Sequence, residues 1–351
     1  MSANQILFAA ALLLGSATSL PVAAASFDCA AASTPFEHAI CDVGELSAAD
    51  ERLAKSFATA TGGLTKESVV LMRGDQRAWL DYAQRACTDD AEPLTRGSYP
   101  EAGGSCLVEK FNARSSALEQ SRMIDGHRFF IKTFYAALPD PNEVDNPDSY
   151  WKVASYEAVL PQLDADDAWA KGFNRFVLDE AARNTETISM IGAGNVADLD
   201  ASSDNSLNIE VKELGGTSRI TLEVGTYWYG HGAAHGNWSI SYLHYLTKEE
   251  RGLRAEDVFA GDDWQVVLRD AAWAQLQTEH SEWLQVESPD DIAELVVNPS
   301  RWDLSNDYGL VIQFQPYEVS AYAYGAPTVT IPWEKLDAIK AETQDQVRWG
   351  Y

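Results

Sequence analysis

His231 and His235 are the residues whose spacing first invites a chemical reading. They stand four apart inside Thr226–Tyr242, TYWYGHGAAHGNWSISY. On a helix that spacing places two imidazoles on one face as metal ligands, but glycines lie between and beside them and no HExxH pattern is present. Three readings stay open: a metal site completed by distant carboxylates, a His235 that hydrogen-bonds and shapes a turn, or a contact surface made with Tyr227, Tyr229, Asn237 and Trp238. Elsewhere, 53 acidic residues offer carboxylate pairs without singling one out. A glycosidase needs two placed carboxylates, which spacing alone does not reveal. No Gly-x-Ser-x-Gly elbow, phosphate loop or dinucleotide fingerprint occurs. The chain therefore reads as a binding protein without catalytic residues, metal or cofactor, and a hydrolase using His235 is kept as an alternative.

The elements that must position these residues follow from composition. Thr226–Tyr229 and Trp238–Tyr242 are aromatic, β-prone runs, and the glycine-rich segment between them reads as an exposed turn joining two strands. Tyr317, Tyr322 and Tyr324 form a second aromatic group, closed by Gly325. Alternation along a predicted strand from Glu318 places Tyr322 and Tyr324 on one face, with core packing as the competing reading. Tyrosine and tryptophan supply large rigid contact area with polar tips. The candidate partner-binding residues are thus Tyr229, His231, His235, Asn237, Trp238, Tyr322 and Tyr324.

Charge and cysteines place the 351-residue chain outside the cytoplasm. Residues 1–25 read as an export signal: an apolar run from Ile6 to Ala17 leads to Ala23-Ala24-Ala25, with the cut expected before Ser26. No later stretch approaches the roughly 20 apolar residues of a membrane span. The four cysteines, Cys29, Cys41, Cys87 and Cys106, all lie in the first third. Four cysteines permit three pairings; the sequence-local one, Cys29–Cys41 with Cys87–Cys106, is favoured, and the spacings do not resemble zinc ligands. Twenty-six basic residues against 53 acidic ones leave a formal charge of −27. Such a field repels nucleic acid and anionic membrane and speeds encounter with cationic partners, although solubility or salt adaptation explains it equally well.

The length makes two domains the default, and the fold class is α+β. Residues 26–125 read as a small helical module stapled by disulfides. A capping box at Ser47 and Asp50 opens a helix ended by Gly62-Gly63; a second starts near Thr65; a third carries Cys106 and Phe111. Residues 126–351 read as an α+β domain with a mainly antiparallel sheet. Its strands are expected at 207–212, 219–229, 238–246, 308–314, 318–322 and 327–331, and its helices from Asp164, from Asp263 to His280 and from Pro332. Pro139–Pro147 is either a linker or a loop inside this domain, and the boundary is set before it, near Gly126.

Two resemblances bear on function. SFDC at 26–29, Phe36-Glu37 with Ala39-Ile40-Cys41, Glu45-Leu46-Ser47, Gln76-Arg77-Ala78-Trp79-Leu80, Cys87 and Cys106-Leu107 together resemble the LprI-like lysozyme-inhibitor family. In that family the Gln-x-x-Trp segment is read as packing. Tyr229-Gly230, Gly232–Asn237, Glu256–Phe259, Tyr317-Glu318-Val319, Tyr322–Gly325 and Ile331-Pro332 resemble the C-terminal domain of RsiV-type anti-sigma factors, a lysozyme receptor also found beside peptidoglycan deacetylase domains. This chain carries no membrane span, sigma-binding segment or deacetylase domain, so what the resemblance implies is binding. The expectation is a periplasmic or secreted protein that recognises and inhibits lysozyme or another cationic muramidase. The alternative is a peptidoglycan-binding or envelope-hydrolase accessory protein.

Overall fold

A computed structural model describes residues 25–216 and 218–350. Of the expected signal, residues 1–24 lie outside the described residues.

The helical segment starts earlier than its sequence signals indicate. Helix α1 spans Pro35–Asp42, opened by a capping box at Thr34 and Glu37 with proline in the first turn. Helix α2, Gly44–Thr61, then begins at once, so Ser47 and Asp50 are interior to it and buried rather than its cap. A proline with a threonine box is the stronger initiator, because it satisfies two end donors and fixes φ in advance. Asp50 instead accepts a hydrogen bond from the backbone nitrogen of Ser26 at 2.7 Å. Helices α3, Lys66–Ala86, and α4, Glu101–Glu119, complete the bundle, with Thr65 capping α3 as expected. Cys29–Cys41 and Cys87–Cys106 are the two disulfides, with Cα separations of 5.8 and 5.6 Å. Trp79 is fully buried and meets Phe111 edge-on at 5.0 Å, while Gln76 accepts from buried Arg114. The Gln-x-x-Trp segment is therefore packing.

A seven-stranded sheet follows, its strands adjacent in chain order. They are β1 Met123–Ile124, β2 His127–Pro139, β3 Val153–Leu163, β4 Ser203–Gly215, β5 Arg219–Gly230, β6 Asn237–Leu246 and β7 Arg251–Gly252. Every pairing is antiparallel except β3 with β4, which helices α5, Ala168–Asn184, and α6, Glu186–Ala193, bridge as a crossover. The stretch 139–147 belongs to the β2–β3 connection.

Both faces of the β2–β3 hairpin are covered. Phe130, Ile131 and Val159 join the core of the four-helix segment, whereas Phe129, Ala158 and Leu160 pack with Phe173 and Val177 of α5. Polar ties fasten the helices to the strands. Arg114 donates to Thr133 and Tyr135, the Asp75 carboxylate accepts the Thr133 amide at 2.9 Å, and Asp164 accepts from Thr65 and Ser68 at the start of α3.

The remaining elements are α7 Trp264–Glu279, α8 Ala293–Val296, β8 Trp302–Asp303, β9 Gly309–Gln313, β10 Thr328–Pro332 and α9 Gln344–Trp349. Strands β8 to β10 make a second, antiparallel sheet, and α7 packs against it through Leu268, Ala272 and Leu276. The helix expected from Pro332 is a 3-10 segment, Trp333–Ile339.

His244 on β6 joins the two sheets. Its Nε2 donates to the Trp302 carbonyl at 2.8 Å, and its Nδ1 lies 3.1 Å from the Thr221 hydroxyl. Burial, with Arg219 nearby, lowers its pKa to about 3 from an ordinary 6.5. Between those values the unfolded chain binds a proton that the native state refuses, so stability rises with pH across the window and falls on acidification. The expected cost is about 1 kcal/mol per pH unit below about 6. Urea unfolding of the parent and of His244→Gln at several pH values from 7 to 4 checks this. The variant profile should be flatter, and parallel profiles would refute the assignment.

Candidate functional site

Strands β5 and β6 form a hairpin whose tip, 231–236, carries the glycines. In the register, Tyr227 lies opposite Trp238 and Trp228 opposite Asn237. The two nominated segments meet at this tip, although Gly236 and Tyr322 are 86 residues apart in sequence. The Gly236 carbonyl is their junction. It accepts from the Tyr322 hydroxyl at 2.7 Å and from His235 Nδ1 at 3.0 Å. With that proton on Nδ1, Nε2 is the acceptor facing the Tyr317 hydroxyl at 3.3 Å. The His235 ring stacks on Tyr322 at 4.2 Å, and Tyr317 leans on Tyr322 at 5.2 Å.

Gly236 is buried because Tyr227 lies across it; a Cβ there would come within 2.5 Å of the tyrosine ring. The missing side chain therefore seats an aromatic ring. Tyr227 is 43% exposed and Tyr317 59% exposed. Tyr317 also has φ +71°, an unusual backbone for a bulky residue, so the surrounding contacts hold it there against a conformational cost.

The sequence expectation for 318–322 is corrected by this geometry. No strand forms there; Tyr322–Tyr324 is a 3-10 turn. The left-handed Tyr317 breaks the extended run, so alternation does not apply, and the two tyrosines diverge. Tyr322 turns to His235, whereas Tyr324 stacks on Trp283 at 4.5 Å. Trp283 was not singled out from sequence; it follows the end of α7 in a turn without any periodic signal.

His231 is not on the surface. Its side chain is 3% exposed and its Nδ1 sits 2.6 Å from Asp140, itself buried, in the β2–β3 connection. The pair clamps the hairpin tip to that connection, and the His231 amide donates to Ser202. Tyr229 is half-buried, donates to the Ala233 carbonyl at 3.0 Å and leans on Trp151. Trp238 is half-buried beside Gly325, and Asn237 is exposed at the start of β6.

The exposed aromatic surface thus comprises Tyr227, His235, Tyr317, Tyr324 and Trp283, with Tyr322 as its keystone. Both ring nitrogens of His235 are engaged with neutral oxygens, and among the described residues no group of three or more His, Cys, Asp or Glu is arranged to hold a metal. What the arrangement offers is recognition through ring faces and hydroxyl tips.

Comparison with known proteins places one family model on each part of the chain. Residues 29–118 match the family Lysozyme inhibitor LprI, and residues 256–334 match Protein of unknown function (DUF3298). Neither description assigns an enzymatic activity to its family. Similar solved structures are a DUF3298 family member from Bacteroides fragilis and a DUF3298 family protein from Pseudomonas aeruginosa PAO1. The first is 15% identical with a TM-score of 0.48, covering 63% of this chain and 96% of its own. The second is 14% identical with a TM-score of 0.41, covering 64% and 98%. No curated protein matches the chain. The two-part resemblance drawn from sequence stands, and the Gly-rich tip lies between the two matched segments.

The junction at Gly236 makes a testable statement. Tyr322→Phe removes one hydrogen bond while keeping the ring, so stability should fall by about 1 kcal/mol. Amide exchange at 232–237 should rise by more than elsewhere in the hairpin. Unchanged protection at the tip would show that the hydroxyl does not hold the loop.

Proposed function

We propose that this chain is an exported, periplasmic or secreted protein that binds lysozyme and inhibits it. The observation that carries the reading is the match of residues 29–118 to the lysozyme-inhibitor family model. We assign the contact to Tyr227, His235, Tyr317, Tyr322 and Tyr324, and leave His231 out because its side chain is buried. The aromatic tips of this surface suit a cleft that binds sugar rings, since both present flat faces edged with hydroxyls. A net charge of −27 suits a cationic enzyme as partner and speeds encounter more than it adds affinity. Residues 26–125 and 126–351 are read as two inherited segments that act as one binding body.

Lysis of a cell-wall suspension by a chicken-type lysozyme tests the proposal, with the full disulfide-bonded chain added at low and moderate salt. Inhibition should weaken as salt rises. The pair Tyr317→Ala and Tyr322→Ala should raise the inhibitory concentration at least about tenfold while the melting transition stays cooperative. Absence of both inhibition and binding at low salt would refute the reading for this enzyme. Full inhibition by the double variant would instead move the contact away from the aromatic tip.

A further inference from the structure

Tyr227 and Trp228 are adjacent in sequence and project to opposite faces of the sheet. Pairing places Tyr227 across from Ser206 and Trp238, and Trp228 across from Asn205 and Asn237. The surface described above gathers around Tyr227. Around Trp228 lies a further cleft, bounded by the start of α6. A cavity of about 290 Å³ there is lined by Asn184, Thr187, Asn205, Trp228, Asn237 and Ser239, and Tyr227 and Trp238 also border it. A second of about 200 Å³ adjoins it and shares Thr185, Thr187, Asn205 and Trp228.

Trp228 is 42% exposed and borders both cavities. A Cβ on Gly230 would approach its indole to 2.8 Å, so the glycine lets the ring lie along the strand end. The polar lining is amide and hydroxyl. Asn205 uses its Nδ2 on the Ser203 hydroxyl, which leaves its carbonyl oxygen available, and the exposed Asn237 amide has no hydrogen-bond partner among the described residues. Glu157 is the sole charged residue lining the larger cavity, and Lys110 and Tyr82 already bind it at 2.5 and 2.7 Å. The smaller cavity adds Glu186, Asp198 and Asp200, which disfavour an anion.

An indole face with amides and hydroxyls at its edges, and no cation, matches an uncharged polyhydroxylated ligand. Ring C–H groups can lie on the indole while hydroxyl or acetamido groups pair with the amides. We propose that this cleft binds a neutral oligosaccharide of two or three units, seated on Trp228 and oriented by Asn205 and Asn237. The site adjoins the proposed lysozyme contact at Tyr227 but is centred on Trp228, which that contact does not use.

Isothermal titration of the full chain with chitotriose and with cellotriose tests this. Binding of either supports the site; a preference for chitotriose assigns acetamido groups to the asparagines. Trp228→Ala should weaken binding at least about tenfold, and Asn237→Ala, an exposed change that leaves the core untouched, about threefold. The proposal is overturned if neither sugar binds, or if Trp228→Ala and Asn237→Ala, both folded by thermal melting, bind as the parent does.

Discussion

The β2–β3 hairpin is apolar on both faces, and most of the architecture answers that constraint. One face takes Ile131 and Val159 into the core of helices α1 to α4; the other takes Phe129 and Leu160 into the core under α5. Water cannot be left against either side, so the helical segment works as a lid on the sheet. Arg114, Asp75 and Asp164 add directional bonds at the same boundary, each joining a helix to a strand. The segment matched by the lysozyme-inhibitor model is thereby packed onto the first sheet.

The same constraint explains what the sequence hid. Strands β5 and β6 were legible nearly to the residue, because their alternating patterns flank a glycine-rich turn. Strands β2 and β3 were not, since burial on both faces erases alternation and leaves a run such as Phe129-Phe130-Ile131 without a period. Ser47 and Asp50 mimic a helix start, yet Thr34, Pro35 and Glu37 had already begun the helical path. His231 looked exposed because it sits among glycines. Its partner Asp140 is 91 residues away, and nothing local announces that pairing. Tyr322 and Tyr324 were read as a second aromatic group on one face, but their opposite directions depend on the left-handed Tyr317, which no residue type forecasts.

The hairpin tip shows how a flexible composition yields a shaped surface. Gly236 and Gly230 are spaces for rings, one under Tyr227 and one beside Trp228. Large side chains laid across bare backbone lose little entropy on meeting a partner, because they are already held. One hairpin thus presents two differently furnished faces: phenol tips and an imidazole on one, an indole among amides on the other.

The Gly236 carbonyl also imposes an order on assembly. The strands that carry it are complete by Leu246, but the hydroxyl that grips it belongs to Tyr322. Until that later segment docks, the tip lacks its keystone and His235 lacks the ring on which it stacks. The aromatic surface therefore comes into being only when the segment of Tyr317 and Tyr322 has docked on the hairpin. A chain without Tyr317 and Tyr322 would keep the glycines and rings of the hairpin and still lack the hydroxyl that grips its tip.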